Sequence, residues 1–208
     1  MGQYYTPVIM KSGDAANLQS FYSHDYDNGL KLMEHSYIGN NFVATVLCSL
    51  EEGDRLLWVG DYAEPDDLSK NPDHIITDAA FDACIEEGDK MKHKQTLSKE
   101  MIVWRRFVVN ATKKEYIDLE AYKEWAPKDK WGYIIHPIPL LTSVGNGKGG
   151  GDYWGDYSSD AVGSWAGDEI YATDELGSAA EYRNASYDYL FYEGQLTEEQ
   201  EAKYYDED

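Results

Sequence analysis

Charge is divided so unevenly along this chain that it limits how the chain can pack. Residues 151–208 carry sixteen Asp or Glu against two basic residues, Arg183 and Lys203, while residues 101–150 carry eight Lys or Arg against five acids. The last segment alone supplies −14 of a formal net charge of −21. Carboxylates at that density must lie in solvent or meet cations from elsewhere in the fold. The basic stretch is the nearest source, so it either neutralises the acidic C-terminal third or forms a solvated face. Toward other molecules the net charge repels nucleic acid and anionic membranes and attracts basic surfaces.

The chain is nonetheless built to fold. Its 18 Tyr, 6 Trp and 5 Phe, with 42% hydrophobic residues in 208, argue for a packed core in one domain, 1–208. Cys48 and Cys84 form no Cys-x-x-Cys pair and sit in apolar helical contexts, which reads as two buried free thiols in a reducing cytoplasm. No apolar run is long enough to span a membrane, and the first residues lack the basic and apolar regions of a signal peptide. The opening Met1-Gly2-Gln3-Tyr4-Tyr5-Thr6 formally fits a myristoylation pattern, but a strand pattern follows directly.

Along the chain, Gln3–Lys11 reads as a strand whose Pro7 suggests an edge or a bulge. Residues 12–30 are turn-rich, with a short strand near Phe21. Asn41–Leu50 has the strongest helical stripe, capped by Asn40 or Asn41, and Arg55–Val59 is a buried strand. Thr77–Glu87 is a second helix stopped by Gly88. Met101–Val109 and Glu115–Leu119 form a hairpin, and Asp118 caps a short helix through Trp125. Trp131–Val144 reads as an apolar strand broken by Pro137 and Pro139. A Gly-rich acidic segment covers 145–175, and Thr197-x-x-Gln200 opens an acidic helix over 197–205. The expected fold is α+β: a mostly antiparallel sheet, two or three packed helices and a long Gly-rich loop.

Three groups of residues bear on chemistry. The loop Gly145–Tyr153, with Lys148, has the physics of an anion cradle, because glycines let backbone N–H groups converge. It fails the P-loop pattern, since Lys148 is followed by Gly149, and no helix pattern follows its Gly-x-Gly-x-x-Gly match, so the expectation is a flexible or tightly folded structural loop. Gly-Asp-Tyr occurs at 60–62, 151–153 and 155–157. Asp61, Asp152, Asp156, Asp160 and Asp168 could gather on a hard cation, although the spacing matches no EF-hand and the expectation is turns and packing, with no metal and no cofactor. His35 stands beside Glu34 and Ser36, and a His35–Ser36–Asp61 constellation lacks a nucleophile elbow. Histidines 24, 74, 93 and 136 lie singly.

Gly2-Gln3-Tyr4-Tyr5, Lys31-Leu32-Met33-Glu34-His35-Ser36, Trp58-Val59-Gly60-Asp61-Tyr62-Ala63 and the Gly145–Tyr153 loop together resemble a family of uncharacterised bacterial and phage proteins that begin Met-Gly-Gln-Tyr-Tyr. The matches span most of the chain. The resemblance implies a prokaryotic or phage source and supplies no activity.

The expected function is protein binding. A Tyr-rich, strongly acidic chain fits an inhibitor that mimics nucleic acid in the basic channel of a host-defence protein, with carboxylates in place of phosphates. The candidate contact residues are Asp152, Tyr153, Trp154, Asp156, Tyr157, Asp160, Asp168, Glu169, Asp174 and Glu175. The partner is a basic protein, with no direct nucleic acid and no membrane. The alternative is a small enzyme or a nucleotide- or metal-binding protein, with His35, Asp61, Lys148 and Asp152 lining one pocket at the loop.

Overall fold

A computed structural model describes residues 1–90, 102–128, 131–153 and 160–189. The acidic helix expected over 197–205 lies outside them. The chain is α+β, as its patterning indicates. It builds two four-stranded sheets rather than one, each with two antiparallel pairings and one parallel pairing at an edge.

The first sheet contains β1 (Tyr5–Met10), β2 (Leu18–Ser20) and β3 (Arg55–Gly60). Every residue of β1 is buried, so this strand is central and not an edge. Pro7 is tolerated because β2 pairs only with Val8, Ile9 and Met10, leaving Pro7 beside β3 alone. Side chains alternate between two cores. Tyr5, Ile9, Leu56 and Trp58 enter the larger one, and Val8, Met10, Leu57 and Val59 the smaller.

Between β2 and β3 lie a one-turn helix α1 (Leu32–His35) and α2 (Asn41–Cys48). The Asn40 side chain caps α2 by accepting from the Phe42 N–H at 2.8 Å, and Phe42, Val43, Val46 and Leu47 fill the larger core. Helix α3 (Asp78–Asp89), capped by Thr77, covers the smaller core with Phe81 and Cys84. Gly88 does not stop α3. It lies inside the last turn, where its missing side chain lets the helix approach Val59 and Thr6.

The second sheet begins with β4 (Phe107–Asn110) and β5 (Glu115–Asp118), followed by α4 (Leu119–Trp125) under the Asp118 cap. The apolar run after Trp131 is mainly helix, not strand: α5 (Pro137–Thr142) precedes the two-residue β6 (Ser143–Val144). Pro137 stands at the first helical position, where no N–H bond is needed, and His136 caps the helix through Nδ1. Strand β6 completes the first sheet beside β3, and β7 (Ile170–Thr173) with β8 (Arg183–Asn184) completes the second.

The two sheets share the larger core through Val108, Ile117 and Ile170, and Gly167 N–H donates to the Leu56 carbonyl at 2.9 Å. Charge follows the same join. Arg105 pairs with Asp174 at 2.6 Å, Lys113 lies 3.9 Å from Asp168, and Arg183 pairs with the buried Glu115. Basic and acidic thirds thus neutralise one another in part. Cys84 is buried, whereas Cys48 is half-buried, and both are free thiols. No described helix is long and apolar enough to cross a membrane.

Candidate functional site

Strands β3 and β6 run parallel and end side by side, so the chain leaves both at the same rim: into Gly60-Asp61-Tyr62 from β3 and into the glycine loop from β6. The incoming end of β1 closes the rim, because Tyr5 pairs with Gly60. The Gln3 side chain occupies the space a Cβ would need at Gly60, and it also lies 2.8 Å from where one would stand at Gly145, whose φ is +92°. Both positions therefore demand glycine.

The glycine loop is an anion cradle filled by its own chain. Asp152 is fully buried, and its Oδ2 accepts from the N–H groups of Gly147 at 2.7 Å and Gly149 at 3.0 Å. Asn146 and Tyr153 exchange two further bonds, Gln3 N–H donates to Gly150 O, and Met33 N–H donates to Gly151 O. Lys148 turns away and pairs with Asp67 at 2.7 Å and Glu64 at 2.9 Å. Burial alone would lower its ammonium, but those two carboxylates hold it above the usual lysine value. An external phosphate would thus find neither free loop amides at Gly147 and Gly149 nor a free lysine. Replacing Asp152 with alanine strands both N–H groups and is expected to cost about 1.5–3 kcal/mol in urea unfolding. An unchanged midpoint would contradict this assignment.

His35 is committed as well. It lies on α1 and is fully buried, with Nδ1–H donating to the Gly29 carbonyl at 3.0 Å and Nε2 accepting from Trp58 Nε1–H at 3.0 Å. These partners fix a neutral tautomer. Burial pushes its pKa down to about 4, with the Gly29 bond pulling weakly the other way. No ring nitrogen is left for Ser36 or for a substrate.

Asp61 accepts from Tyr4 N–H at 3.1 Å. Burial lifts its carboxyl above the usual range, and the charges of Asp89 and Asp152 add to the effect. Asp61 and Asp152 also both raise the pKa of the Tyr5 hydroxyl, after burial as the main cause. Two Gly-Asp-Tyr units therefore meet around Tyr5, while the third, at 155–157, lies outside the described residues. Of the four residues expected in one pocket, Asp61 and Asp152 come together, whereas His35 and Lys148 serve other partners.

The expected contact residues divide similarly. Asp152, Tyr153 and Asp168 are interior, with Asp168 accepting from Asn71 at 2.8 Å and Asn110 at 2.7 Å. Burial raises its carboxyl, and the two amides and Lys113 oppose the shift. Glu169 accepts from Gly53 N–H at 3.0 Å, and Asp174 from Arg105 and from Arg106 N–H. Asp160, Asp174 and Glu175 reach the surface. Trp154, Asp156 and Tyr157 lie outside the described residues. Among the described residues no three His, Cys, Asp or Glu gather as metal ligands.

One feature of the rim escapes sequence reading. At the edge of the first sheet, Tyr4 and Asp61 line a shallow surface cleft with Ile85 and Asp89 of α3. Tyr4 is 40% exposed, Asp89 is exposed, and the cleft lies at the C-terminal end of α3, the negative end of the helix dipole. Period-two alternation at Tyr4-Tyr5 signals one buried and one outward ring, but only the fold brings α3 opposite them. Compared with family models, curated proteins and solved structures, the chain matches none.

Proposed function

We propose that this chain is an acidic protein-binding protein of prokaryotic or phage origin. It acts in the cytoplasm, where Cys48 and Cys84 stay reduced, and occupies the basic channel of a nucleic-acid-handling defence protein. The observation that carries this reading is how charge is spent. Among the described residues Lys11, Lys113, Lys148, Arg105, Arg106 and Arg183 each pair with acids of the same chain, which offsets part of the basic charge against a net −21. A net charge of this sign draws in a basic partner, which speeds encounter and sets specificity more than raw affinity.

The contact face differs from the segment 152–175 read from sequence. Asp160, Asp174 and Glu175 are exposed and remain among the proposed contacts, and the cleft of Tyr4, Asp61 and Asp89 offers an aromatic anchor of the kind tight interfaces favour. Affinity capture from bacterial lysate at about 50 and about 500 mM salt tests the reading, since exposed charge pairs are screened across that range. A retained nucleic-acid-handling protein is expected that is weakened by salt and displaced by short double-stranded DNA. Retention indifferent to both salt and DNA would contradict mimicry.

A further inference from the structure

Where the two sheets meet, a lysine, an asparagine and two aspartates from three distant parts of the chain come into contact. Asn71 follows the turn Pro65–Lys70 and is fully buried. Its Nδ2 donates to Asp168 Oδ1 at 2.8 Å and to the Ala166 carbonyl at 3.0 Å. Its Oδ1 accepts from the Asp73 N–H at 3.3 Å and from Lys113 Nζ at 3.0 Å. Lys113 stands in the turn between β4 and β5, where its own N–H donates to Asn110 Oδ1 at 2.9 Å. Asp73 Oδ2 lies 2.6 Å from the same Nζ, and the buried Asp168 Oδ2 lies 3.9 Å from it.

An ion pair needs only Lys113 and Asp73. It does not need a buried amide fixed at both of its polar atoms beside a buried carboxyl. Amide transfer does need them: an amine held against an immobilised carbonyl, a base on the amine, a donor on the oxygen and an acid at the leaving nitrogen. We propose that Lys113 and Asn71 join in an isopeptide bond, with Asp73 and Asp168 as the catalytic carboxyls. Asp73 takes one proton from the Lys113 ammonium, and the freed Nζ lone pair attacks Asn71 Cγ. Negative charge collects on Oδ1, beside the Asp73 N–H. Asp168 gives a proton to Nδ2 and recovers one from Nζ. The Nζ–Cγ bond forms, the Cγ–Nδ2 bond breaks, and ammonia leaves as ammonium with the proton Asp73 held. Burial raises the Asp168 carboxyl, which favours its acid role, although Asn110, Asn71 and Lys113 pull the other way. No oxidant is consumed, so this staple between the sheets suits a fold whose two cysteines are free thiols.

Peptide mapping tests the bond. The purified wild-type chain is held for days at neutral pH, denatured, digested with trypsin and weighed by mass spectrometry. The peptide that begins at Asn71 is expected joined to the one carrying Lys113, at their summed mass less one ammonia. Loss of ammonia without that joined pair overturns the proposal. Asn28-Gly29 and Asn146-Gly147 can lose ammonia by cyclising on their own backbones, whereas Asn71 cannot, because Pro72 has no N–H. Lys113→Arg keeps a cation against Asp73 and should leave the peptides separate. Asp168→Asn removes the acid and should slow joining by about a hundredfold. Separate peptides of full mass from the wild-type chain overturn the proposal, whether or not either variant folds.

Discussion

Replacing Trp58 with alanine is expected to lower the unfolding free energy by about 3–5 kcal/mol, the range for truncating a buried tryptophan. Trp58 is fully buried at the middle of β3, packs edge-on against Phe42 with centroids 5.7 Å apart, and holds the lone pair of His35 Nε2. The truncation therefore opens a cavity between β3 and α2 and leaves a buried acceptor unmatched. Natural domains are stable by only about 5–15 kcal/mol, so this one change removes a large share. Trp58→Phe separates the two effects. It keeps most of the volume but loses the donor, and should cost about 1–3 kcal/mol. Urea unfolding measures both, and a loss below about 1 kcal/mol for Trp58→Ala would mean that β3 is not the centre of the core.

Acid should destabilise the fold through two histidines. Burial lowers His35 to about 4 and His136 to about 3, from an ordinary value of 6.5. Below pH 6.5 the unfolded chain takes up protons that the folded chain refuses, so stability falls as pH falls, by about 1.4 kcal/mol per unit for each histidine. Asp61 and Asp168 work the other way. Their raised carboxyls keep protons to a higher pH in the fold, a contribution favourable in acid and lost as pH rises. Their effect is concentrated nearer the carboxylate range, so the histidines dominate from pH 7 to 5. A loss of about 2–4 kcal/mol over that interval is expected. His136→Asn keeps a good cap for α5 and should remove about half the slope. A stability flat to pH 5, or a slope untouched by His136→Asn, would contradict this account.

What the sequence discloses follows from how local each cause is. Helices α2, α3 and α4 are legible because their caps, Asn40, Thr77 and Asp118, act within one turn of chain. Helix α5 is not, because it is apolar all round and fully buried, which leaves no helical stripe to read. Two prolines in that run look like strand breakers until they are seen at a helix start. The division into two sheets is also hidden, since it depends on Gly167–Ile170 bonding back to Asp54–Leu56 across more than a hundred residues. At the rim, the glycines of Gly145–Tyr153 mark a loop whose amides can converge, and it is a folded structural loop with two amides on one carboxylate of its own. That the carboxylate is Asp152, and that Lys148 answers to Glu64 and Asp67, depends on distances that no motif encodes. Acidic residues look alike in sequence whether they serve the interior, as Asp168 does, or the surface, as Glu175 does.

The most direct test of the binding account is a charge-reversal comparison on the captured partner. Asp61→Lys with Asp89→Lys reverses the cleft, and Asp66→Lys with Glu181→Lys makes the same change in net charge at exposed acids elsewhere. The account predicts that both variants stay folded by circular dichroism and that the cleft pair weakens partner binding at least tenfold more than the control pair. Equal weakening by the two pairs would reduce the interaction to bulk charge, and no weakening by either would contradict recognition of a basic partner altogether.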